Sequence, residues 1–575
     1  MQHPLAEYPR PALRRDSCEN LNGFWQYAVT KTADFPQQWQ GEILVPYSPE
    51  TKASGVGHIL QPNEWLHYHR SFTPPAGSGG RVLLHFGAVD YACAVEVNGR
   101  IAGGHRGGYL PFTLDITSLL KDGRNTLWVA VQDPTGSGTQ ARGKQSLKPG
   151  GMFYTSQSGI WQTVWLERVP ENYIKELTVT PDYDSRTVAI KAEFAVSDVL
   201  ITAAVRTGSV IAQGQGMGSA VLTIPAEHFH PWSPDSPFLY DLTIHAGDDT
   251  VHSYFAMRKW SCAPDANGIM RFCLNDKPIL LNGLLDQGYW PDGLYTPPSD
   301  AAVEKELLTV RELGFNMLRK HAKIEPQRWY YHCDRLGIIV WQDMVNGGAP
   351  YKLWLVTYLT NILQPLMRRM PDGRPFYGLL SRGTQASRDE YYTELEATVK
   401  ALGCHPCIGC WVPFNEGWGQ FDADAATAKL KALDKTRVVD EASGWYDRGG
   451  GDVYSVHNYF YPLKVSPKQR TVALSEYGGI VWAMPGHEPP GGKAYGYGTA
   501  KSRDELTQRY RKLQLETVMP QLKKGLSALV YTQLADVQEE VNGMLTADRT
   551  AVKPEAETVR AVNAALNAEF ERVTK

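Results

Sequence analysis

The stretch that decides the fold is residues 280–343, which read LLNGLLDQGYWPDGLYTPPSDAAVEKELLTVRELGFNMLRKHAKIEPQRWYYHCDRLGIIVWQD. Three short apolar runs, 280–285, 315–318 and 337–341, alternate with two segments that have helical periodicity. In the first of these segments Ser299 can cap a helix whose apolar residues recur at helical spacing: Val303, Leu307, Val310 and Leu313. The stretch therefore predicts consecutive β-strand and α-helix units.

The alternation of strands and helices continues to the end of the chain. Eight strand candidates are found: 280–285, 315–318, 337–341, 407–414, 437–441, 453–457, 472–476 and 526–532. Eight parallel strands with helices between them are typical of a closed (β/α)₈ TIM barrel, whose active site lies at the carboxyl ends of the strands. We therefore expect catalytic residues directly after these strands.

The first 260 residues have a different pattern, with short alternating strands, many turn residues and few helices, which predicts β-sandwiches. The pair Asn98-Gly99 between two such strands predicts a hairpin. A break near residues 169–174 separates a first sandwich from a second one of roughly 90 residues. We predict domains at 1–170, 171–262 and 263–575.

Composition excludes several partners. The formal charge is −3, so no basic field is present for nucleic acid or an anionic membrane. The N-terminus lacks an apolar signal region, and no apolar run is long enough to span a membrane, so we expect a cytoplasmic protein and no membrane partner. Cys404, Cys407 and Cys410 have a spacing known from metal sites, but a fourth ligand is not evident, and packing in an apolar strand is the favoured interpretation.

Polar residues follow every predicted barrel strand. A barrel with a purely structural role would gain little from so many polar groups at one mouth. Two carboxylates, Glu416 in CWVPFNEGWG and Glu476 in VALSEYGG, end apolar strands four and seven, on opposite sides of the barrel. Hydrolysis of a glycosidic bond requires one protonated acid and one ionised carboxylate. The pair predicts a glycosidase with Glu416 as the acid/base and Glu476 as the nucleophile.

An ordered set of motifs resembles glycoside hydrolase family two, a family of the retaining (β/α)₈-barrel clan that includes β-galactosidase, β-glucuronidase and β-mannosidase. The motifs are SGIWQTVWLE, YFAMRK, LNDKPILLNG, GFNMLR, GIIVWQDM, HPCIGCWVPFNE and SEYGG, and they extend over most of the chain. The resemblance implies a multidomain fold, with an N-terminal jelly-roll β-sandwich like sugar-binding domains, an immunoglobulin-like β-sandwich and a C-terminal catalytic (β/α)₈ TIM barrel.

The family pattern also implies roles for individual residues. Asn415 would bind the sugar 2-hydroxyl, Tyr459 would contact the nucleophile, and Arg319 would brace it electrostatically. For each of these, a buried salt bridge or a capping role is the structural alternative. Further substrate-binding candidates, each of which can instead form part of the wall, are His457, His321, Asp286, Trp290, Trp418, Trp482 and Asp343.

The sequence departs from the family at positions that decide the sugar. Where β-galactosidases and β-glucuronidases place a carboxylate of the first sandwich, this chain has Phe153. The Asn-x-Lys that binds a uronate in β-glucuronidases is replaced after strand eight by EEVNGMLTADR, which disfavours a uronate. Strand two, NMLRKH, matches neither the galactosidase nor the mannosidase pattern, and strand three, VWQD, is nearer to the mannosidase one. A Glu-x-His for magnesium is missing, so we expect no required metal and no cofactor.

We therefore expect a retaining exo-glycosidase that acts on a small glycoside or oligosaccharide with a neutral terminal sugar, a β-galactoside first. A β-mannoside, a β-glucoside and an α-L-arabinoside remain alternatives. An inactive carbohydrate-binding scaffold would not need both glutamates, and an aldolase or metallohydrolase would need a Schiff-base lysine or a metal cluster at the strand ends. The oligomeric state is open, and a homo-oligomer is compatible with the sequence.

Overall fold

The first β-sandwich occupies residues 19–169 of the computed structural model, which describes residues 4–360, 363 and 367–575. Its larger sheet has six antiparallel strands in the order Gly41–Val45, Gly23–Thr30, Trp65–Phe72, Asn125–Gln132, Ala92–Val97 and Arg100–Arg106. Its smaller sheet has the order Glu19–Asn20, Val164–Val169, Arg81–Phe86 and Phe112–Asp115. Two short pairs join Val89–Asp90 with Gly159–Ile160, and Gln145–Ser146 with Tyr154–Thr155. The buried core between the sheets includes Trp25, Tyr68, Leu84 and Val129.

The hairpin predicted at Asn98-Gly99 is confirmed. Strand Ala92–Val97 pairs in antiparallel fashion with Arg100–Arg106. Asn98 and Gly99 both have positive φ angles, 55° and 73°. A two-residue turn needs this conformation to match the twist of its strands, and asparagine followed by glycine adopts it at low cost.

The second sandwich also consists of two antiparallel sheets. Three strands form one of them: Ile174–Asp182, Thr187–Phe194 and Ser219–Thr223. Four strands form the other, in the order Ser209–Met217, Leu200–Thr207, Tyr240–Ala246 and Asp249–Phe255. Apolar side chains at alternate positions, such as Val188, Ile190 and Ala192, are buried between the sheets, as the period of a half-buried strand requires.

The eight predicted barrel strands are all present in one parallel sheet. They are β1 (Leu281–Asp286), β2 (Met317–Lys320), β3 (Ile339–Asp343), β4 (Ile408–Val412), β5 (Val438–Val439), β6 (Val453–Asn458), β7 (Thr471–Gly478) and β8 (Leu526–Thr532). The sheet order is β5-β4-β3-β2-β1-β8-β7-β6. Asp452 spans the remaining gap between β5 and β6, because its amide donates to the Val439 carbonyl at 2.8 Å and its carboxylate accepts from the Val439 amide at 2.9 Å. The predicted fold class, two sandwiches followed by a TIM barrel, is confirmed.

Helices connect the strands on the outside of the barrel. They are α1 (Asp300–Glu312), α2 (Gln327–Leu336), α3 (Gln385–Leu402), α4 (Ala423–Leu433), α5 (Arg503–Lys512), α6 (Met519–Leu522) and α7 (Ala556–Thr574). The predicted cap of α1 is present, because the Ser299 side chain accepts from the Ala302 amide. A π-helical segment, Leu513–Val518, lies between α5 and α6.

Shorter elements complete the chain. A second π-helical segment is Trp354–Leu359, and one-turn 3₁₀ helices are found at Pro11–Leu13, Thr117–Leu119, Thr135–Ser137, Ala226–His228, Phe376–Gly378 and Pro490–Gly492. A small sheet of Trp260–Pro264, Met270–Leu274 and Lys277–Pro278 precedes β1. The predicted domain limit at 262 lies inside the first of these strands, and the domain limits stay predictions. Among the described helices, none has both the length and the apolar character needed to cross a bilayer.

Candidate active site

Glu416 lies in a tight turn after β4. Its backbone is left-handed, with φ 51°, which costs a residue with a side chain about 1–2 kcal/mol. Asn415 pairs with Ser443 in a short parallel bridge, and the Glu416 amide donates to the Ser443 carbonyl at 2.9 Å. Gly417 follows with φ 75°, and a Cβ at this glycine would lie 2.2 Å from the Tyr446 ring. The sequence Asn-Glu-Gly thus forms a turn that holds the Glu416 side chain at the barrel mouth.

Glu476 lies within β7 and receives a hydrogen bond on each carboxylate oxygen. Arg319 Nη1 donates to its Oε1 at 3.3 Å, and the Tyr459 hydroxyl donates to its Oε2 at 2.8 Å. Both donors interact more strongly with the ionised carboxylate than with the neutral acid. The two hydrogen bonds therefore hold the Glu476 carboxylate in one orientation at the barrel mouth.

His457, at the end of β6, lies between the two glutamates. Its Nδ1 is 2.7 Å from Glu416 Oε1 and 3.5 Å from Glu476 Oε2. A nitrogen of His457 and one carboxylate oxygen of each glutamate all lie within 4.8 Å of one another. A close approach of this kind agrees with the carboxyl separation of about 5–5.5 Å found in retaining glycosidases and is shorter than the ~6.5–9.5 Å of inverting ones.

Arg319 connects most of the site. Its guanidinium makes a two-pronged contact with Asp343, at 3.0 and 3.1 Å, and donates to Asn415 Oδ1 at 2.8 Å. His321 Nδ1 lies 2.6 Å from the same Asp343 carboxylate. Because Arg319 donates to the side-chain oxygen of Asn415, the side-chain NH₂ group of Asn415 is oriented so that it can donate to a ligand.

Burial shifts the pKa values of two residues in the site, Glu416 and His457. Burial raises the pKa of Glu416 to about 7, although the nearby charges of Lys144, His321 and Arg319 act in the opposite direction. Burial lowers the pKa of His457 to about 3, and Arg319 adds to this effect, so the imidazole is neutral near pH 7. An acid with a pKa near neutral pH can donate its proton in one step and take one up in the next, as acid/base catalysis requires.

The structure places the other sequence-predicted residues in different surroundings. The Asp286 carboxylate accepts from Lys320 Nζ at 2.5 Å, and the Trp290 ring lies under the Arg549 guanidinium at 4.4 Å. These contacts agree with the structural alternative for both residues. Trp418 stacks between two aromatic rings at the mouth, whereas Trp482 packs against Ile480, Ala500 and Leu506. Their roles in binding sugar stay predictions.

Sequence reasoning named Phe153 of the first sandwich but missed Lys144 and Tyr154 of the same sandwich. The sandwich loop, residues 140–157, crosses to the barrel, where the Gly143 amide donates to the Asn346 carbonyl at 3.0 Å. Its Tyr154 hydroxyl donates to the buried carboxylate of Glu540, which follows β8 and also accepts from Asn542 Nδ2 at 3.1 Å. Its Lys144 approaches Glu416, as described above. The segment EEVNG after β8 was the one available signal for Glu540, whereas no sequence pattern links Lys144 to a strand end.

Two groups of residues contain side chains of the types that bind metals. The ligand atoms of Glu416, His457 and Glu476 are close enough to surround a small cation, although the 2.7 Å contact between Glu416 and His457 is a hydrogen-bond distance. The sulfurs of Cys404 and Cys407 instead face backbone carbonyls of Ala401 and Tyr330, which agrees with a packing role. The expectation that no metal is required stays a prediction.

Comparisons with known proteins identify related sequences. The family model described as glycosyl hydrolase 2 galactose-binding domain-like matches residues 53–162. A protein of Formosa agariphila, named provisionally as a β-glucuronidase, is 28% identical over 478 residues, which are 76% of this chain and 54% of that protein. A β-galactosidase of Thermoanaerobacter pseudethanolicus is 24% identical over 282 residues, 46% of this chain and 37% of that protein. The chain thus spans about half or less of the length of these two relatives.

A solved structure shares the fold over nearly the whole chain. The β-glucuronidase of Faecalibacterium prausnitzii superimposes with a TM-score of 0.73 and 21% sequence identity, covering 97% of this chain and 99% of that one. The agreement extends over both sandwiches and the barrel. The order of the three units is therefore shared with this structure.

Proposed function

The chain belongs to glycoside hydrolase family two, and from this premise we propose that it is a retaining exo-glycosidase with Glu476 as nucleophile and Glu416 as acid/base. The observation that carries the proposal is the approach of the two carboxylates, whose oxygens lie within 4.8 Å. An approach this close is nearer to the carboxyl separation of about 5–5.5 Å in retaining enzymes than to the ~6.5–9.5 Å that leaves room for a water in inverting enzymes. Double displacement through a covalent intermediate is the mechanism that fits.

In the first step the Glu476 carboxylate attacks the anomeric carbon while Glu416 protonates the leaving oxygen. Arg319 and Tyr459 orient the Glu476 carboxylate for this attack through their hydrogen bonds. In the second step Glu416, now deprotonated, removes a proton from water, which attacks the glycosyl-enzyme ester. Asn415 donates to the sugar 2-hydroxyl, an interaction that strengthens as charge develops on the ring.

We propose a neutral terminal sugar, with a β-galactoside as the first candidate. The carboxylate of Glu540, which accepts from Tyr154 and Asn542, supports this choice because it is suited to accept further hydrogen bonds from sugar hydroxyls. It would repel a uronate bound beside it. β-Mannoside, β-glucoside and α-L-arabinoside substrates are the alternatives within the same mechanism.

A β-glucuronide is the second candidate, because the Formosa agariphila relative carries that name at 28% identity over 76% of this chain. Against it stands the segment after β8, EEVNGMLTADR, which lacks the uronate-binding Asn-x-Lys of β-glucuronidases and contains the carboxylates Glu539 and Glu540. The two candidates differ in charge, so one set of substrates separates them.

The test is hydrolysis of nitrophenyl glycosides by the wild type and by Glu476→Ala. The set contains the β-galactoside, β-glucoside, β-mannoside, β-glucuronide and α-L-arabinosides. We expect the wild type to hydrolyse the β-galactoside faster than the other glycosides. Glu476→Ala should not hydrolyse it. A fully folded wild type that hydrolyses none of them would favour the binding-scaffold alternative, and equal activity of Glu476→Ala would remove Glu476 as the nucleophile.

Covalent labelling tests the nucleophile directly. A 2-fluoro glycoside of the accepted sugar with a good leaving group should form a stable ester with Glu476. Fluorine slows both displacements, and the good leaving group restores the rate of the first one only, so the ester accumulates. Peptide mapping of the label to another residue would overturn the assignment. Glu416→Ala, which keeps Glu476, serves as the matched control and should still be labelled by a reagent with an activated leaving group.

A further inference from the structure

Lys144 is a buried cation at the barrel mouth. Its residue is 7% exposed, and its ammonium nitrogen lies 5.7 Å from the Tyr154 ring centre and 5.9 Å from the Trp418 ring centre. Within residues 4–360, 363 and 367–575 no carboxylate lies within 4.0 Å of this nitrogen and no hydrogen bond from it is found. Lys144 acts electrostatically on Glu416, but no ion pair joins the two side chains, so a ligand oxyanion would supply the hydrogen-bonded partner that the ammonium lacks.

The position of Lys144 relative to the glutamates defines the part of the substrate that it faces. Trp418, the ring near the ammonium, lies two residues after Glu416 in the same turn, where its amide donates to the Asn415 carbonyl at 2.9 Å. Glu476 is held from β2 and β6 by Arg319 and Tyr459. Lys144 thus approaches from the side of the acid/base, and the acid/base contacts the leaving oxygen.

Aromatic rings form a wall beside Lys144. The Trp418 ring stacks on Phe153 at 5.5 Å and on Tyr351 at 5.6 Å between ring centres. Phe153 and Tyr351 are partly exposed, whereas Trp418 is buried between them. A cation next to a flat apolar wall suits a ligand that carries a planar ring and a negative group.

We propose that Lys144 forms a leaving-group subsite that binds an anionic aglycone, one that carries a carboxylate or a sulfate. This inference rests on the proposed function, because Glu416 must be the acid/base for Lys144 to face the leaving group. An oxyanion of the aglycone then pairs with the ammonium, and the aglycone ring packs on Phe153. Charge-assisted hydrogen bonds of this kind are among the stronger ones in proteins.

The experiment measures binding in a variant that does not turn over, Glu476→Gln. Titration calorimetry compares 4-carboxyphenyl and 4-sulfatophenyl β-galactosides with the neutral 4-carbamoylphenyl β-galactoside. We expect each anionic glycoside to bind about tenfold tighter than the neutral one. Adding Lys144→Met should abolish the difference, whereas the control Lys148→Met, at an exposed lysine of the same loop, should preserve it. Equal affinities in Glu476→Gln, or a difference that survives Lys144→Met, overturn the proposal.

Two further measurements separate the alternatives. If Lys144→Met weakens binding of a phenyl β-glucuronide and leaves the preference for 4-carboxyphenyl β-galactoside intact, Lys144 serves the sugar ring and the proposal is wrong. Lys144→Arg should retain at least part of the charge preference, and its thermal unfolding shows whether the fold is kept. A wild type that hydrolyses no glycoside, together with a charge preference in binding that depends on Lys144, would refute the proposed hydrolysis and with it the leaving-group role, and would show Lys144 to be an anion-binding residue only.

Discussion

At the scale of single residues, the site depends on how Glu416 is held. Its left-handed backbone, with φ 51°, is an unfavourable conformation that the surrounding structure stabilises through the Ser443 carbonyl and Gly417. Its side chain is 12% exposed and contacts His457 Nδ1 at 2.7 Å. Because His457 Nε2 lies 3.4 Å from Arg319, which can only donate, the imidazole proton is placed on Nδ1 and points to Glu416.

Removing the acid should affect substrates unequally. We expect Glu416→Ala to lower kcat/KM for glycosides with poor leaving groups by about 10²–10⁴-fold, because proton donation is then lost in the rate-limiting step. Aryl glycosides with activated leaving groups should lose far less. Steady-state kinetics on a series of leaving groups makes the comparison. Equal losses across the series would show that Glu416 is not the acid.

The pH dependence follows from the same residue. Since burial raises the pKa of Glu416 to about 7, the protonated acid is lost as the pH rises through that value. We therefore expect kcat/KM for a poor leaving group to fall tenfold per pH unit well above pH 7. In Glu416→Gln this fall should be absent from the remaining activity. A wild-type rate that stays constant up to pH 9 would contradict the assignment.

At the scale of elements, the sandwich loop (residues 140–157) is the part of the fold that shapes the mouth. Its short strand Gln145–Ser146 pairs in parallel with Tyr154–Thr155, which places Lys144 and Phe153 side by side at the same end of this pair. Contacts to the loops after β3 and β8 then anchor it, through the Gly143 amide and the Gly151 amide, which donates to Glu539 at 3.0 Å. The first sandwich is thus positioned to influence specificity.

Phe153→Asp should change the sugar preference. The partly exposed Phe153 ring stacks on Trp418 at 5.5 Å, and a carboxylate in its place would introduce a hydrogen-bond acceptor and a charge at the mouth. We expect the ratio of kcat/KM values between two sugars to change about tenfold or more. Measurement on the nitrophenyl glycoside set tests this expectation. Phe153→Leu is the control that keeps an apolar side chain, and an unchanged profile in Phe153→Asp would count against a role for this position.

At the scale of the whole molecule, buried polar contacts join the N-terminal segment to both sandwiches. Arg15 is 5% exposed and donates to Asp249 of the second sandwich at 2.8 and 2.9 Å and to Glu167 of the first at 3.1 Å. Burial alone would raise the pKa of Glu167, but Arg10, His85 and Arg15 lower it well below the usual value. The segment before the first sandwich therefore fixes how the sandwiches meet.

Loss of this junction should destabilise the protein without altering the chemistry. We expect Arg15→Met to lower the free energy of unfolding by about 3–5 kcal/mol, since Asp249 and Glu167 would lose a buried partner. Lys52→Met is the matched control, because the Lys52–Asp292 pair is 85% and 69% exposed and should contribute only about 0–1 kcal/mol. Denaturant unfolding measures both. Equal stabilities of the two variants would show that the junction is not important for stability.

The sequence by itself determined the fold class and the two central residues. Strand and helix periodicity is a local property, so the eight barrel strands, the Ser299 cap and the Asn98-Gly99 hairpin were predictable from short windows. The topology of a parallel barrel brings the ends of its strands to one face, which is why Glu416 and Glu476 were expected at one mouth.

Tertiary structure alone decided how the polar residues pair. Asp286 and Trp290 follow a barrel strand, as Glu416 does, yet they contact Lys320 and Arg549. Lys144 comes from a chain segment 272 residues before Glu416 and still lies at the same mouth. Such contacts depend on how whole domains pack. They require no particular spacing along the chain, so they leave no periodic signal in the sequence.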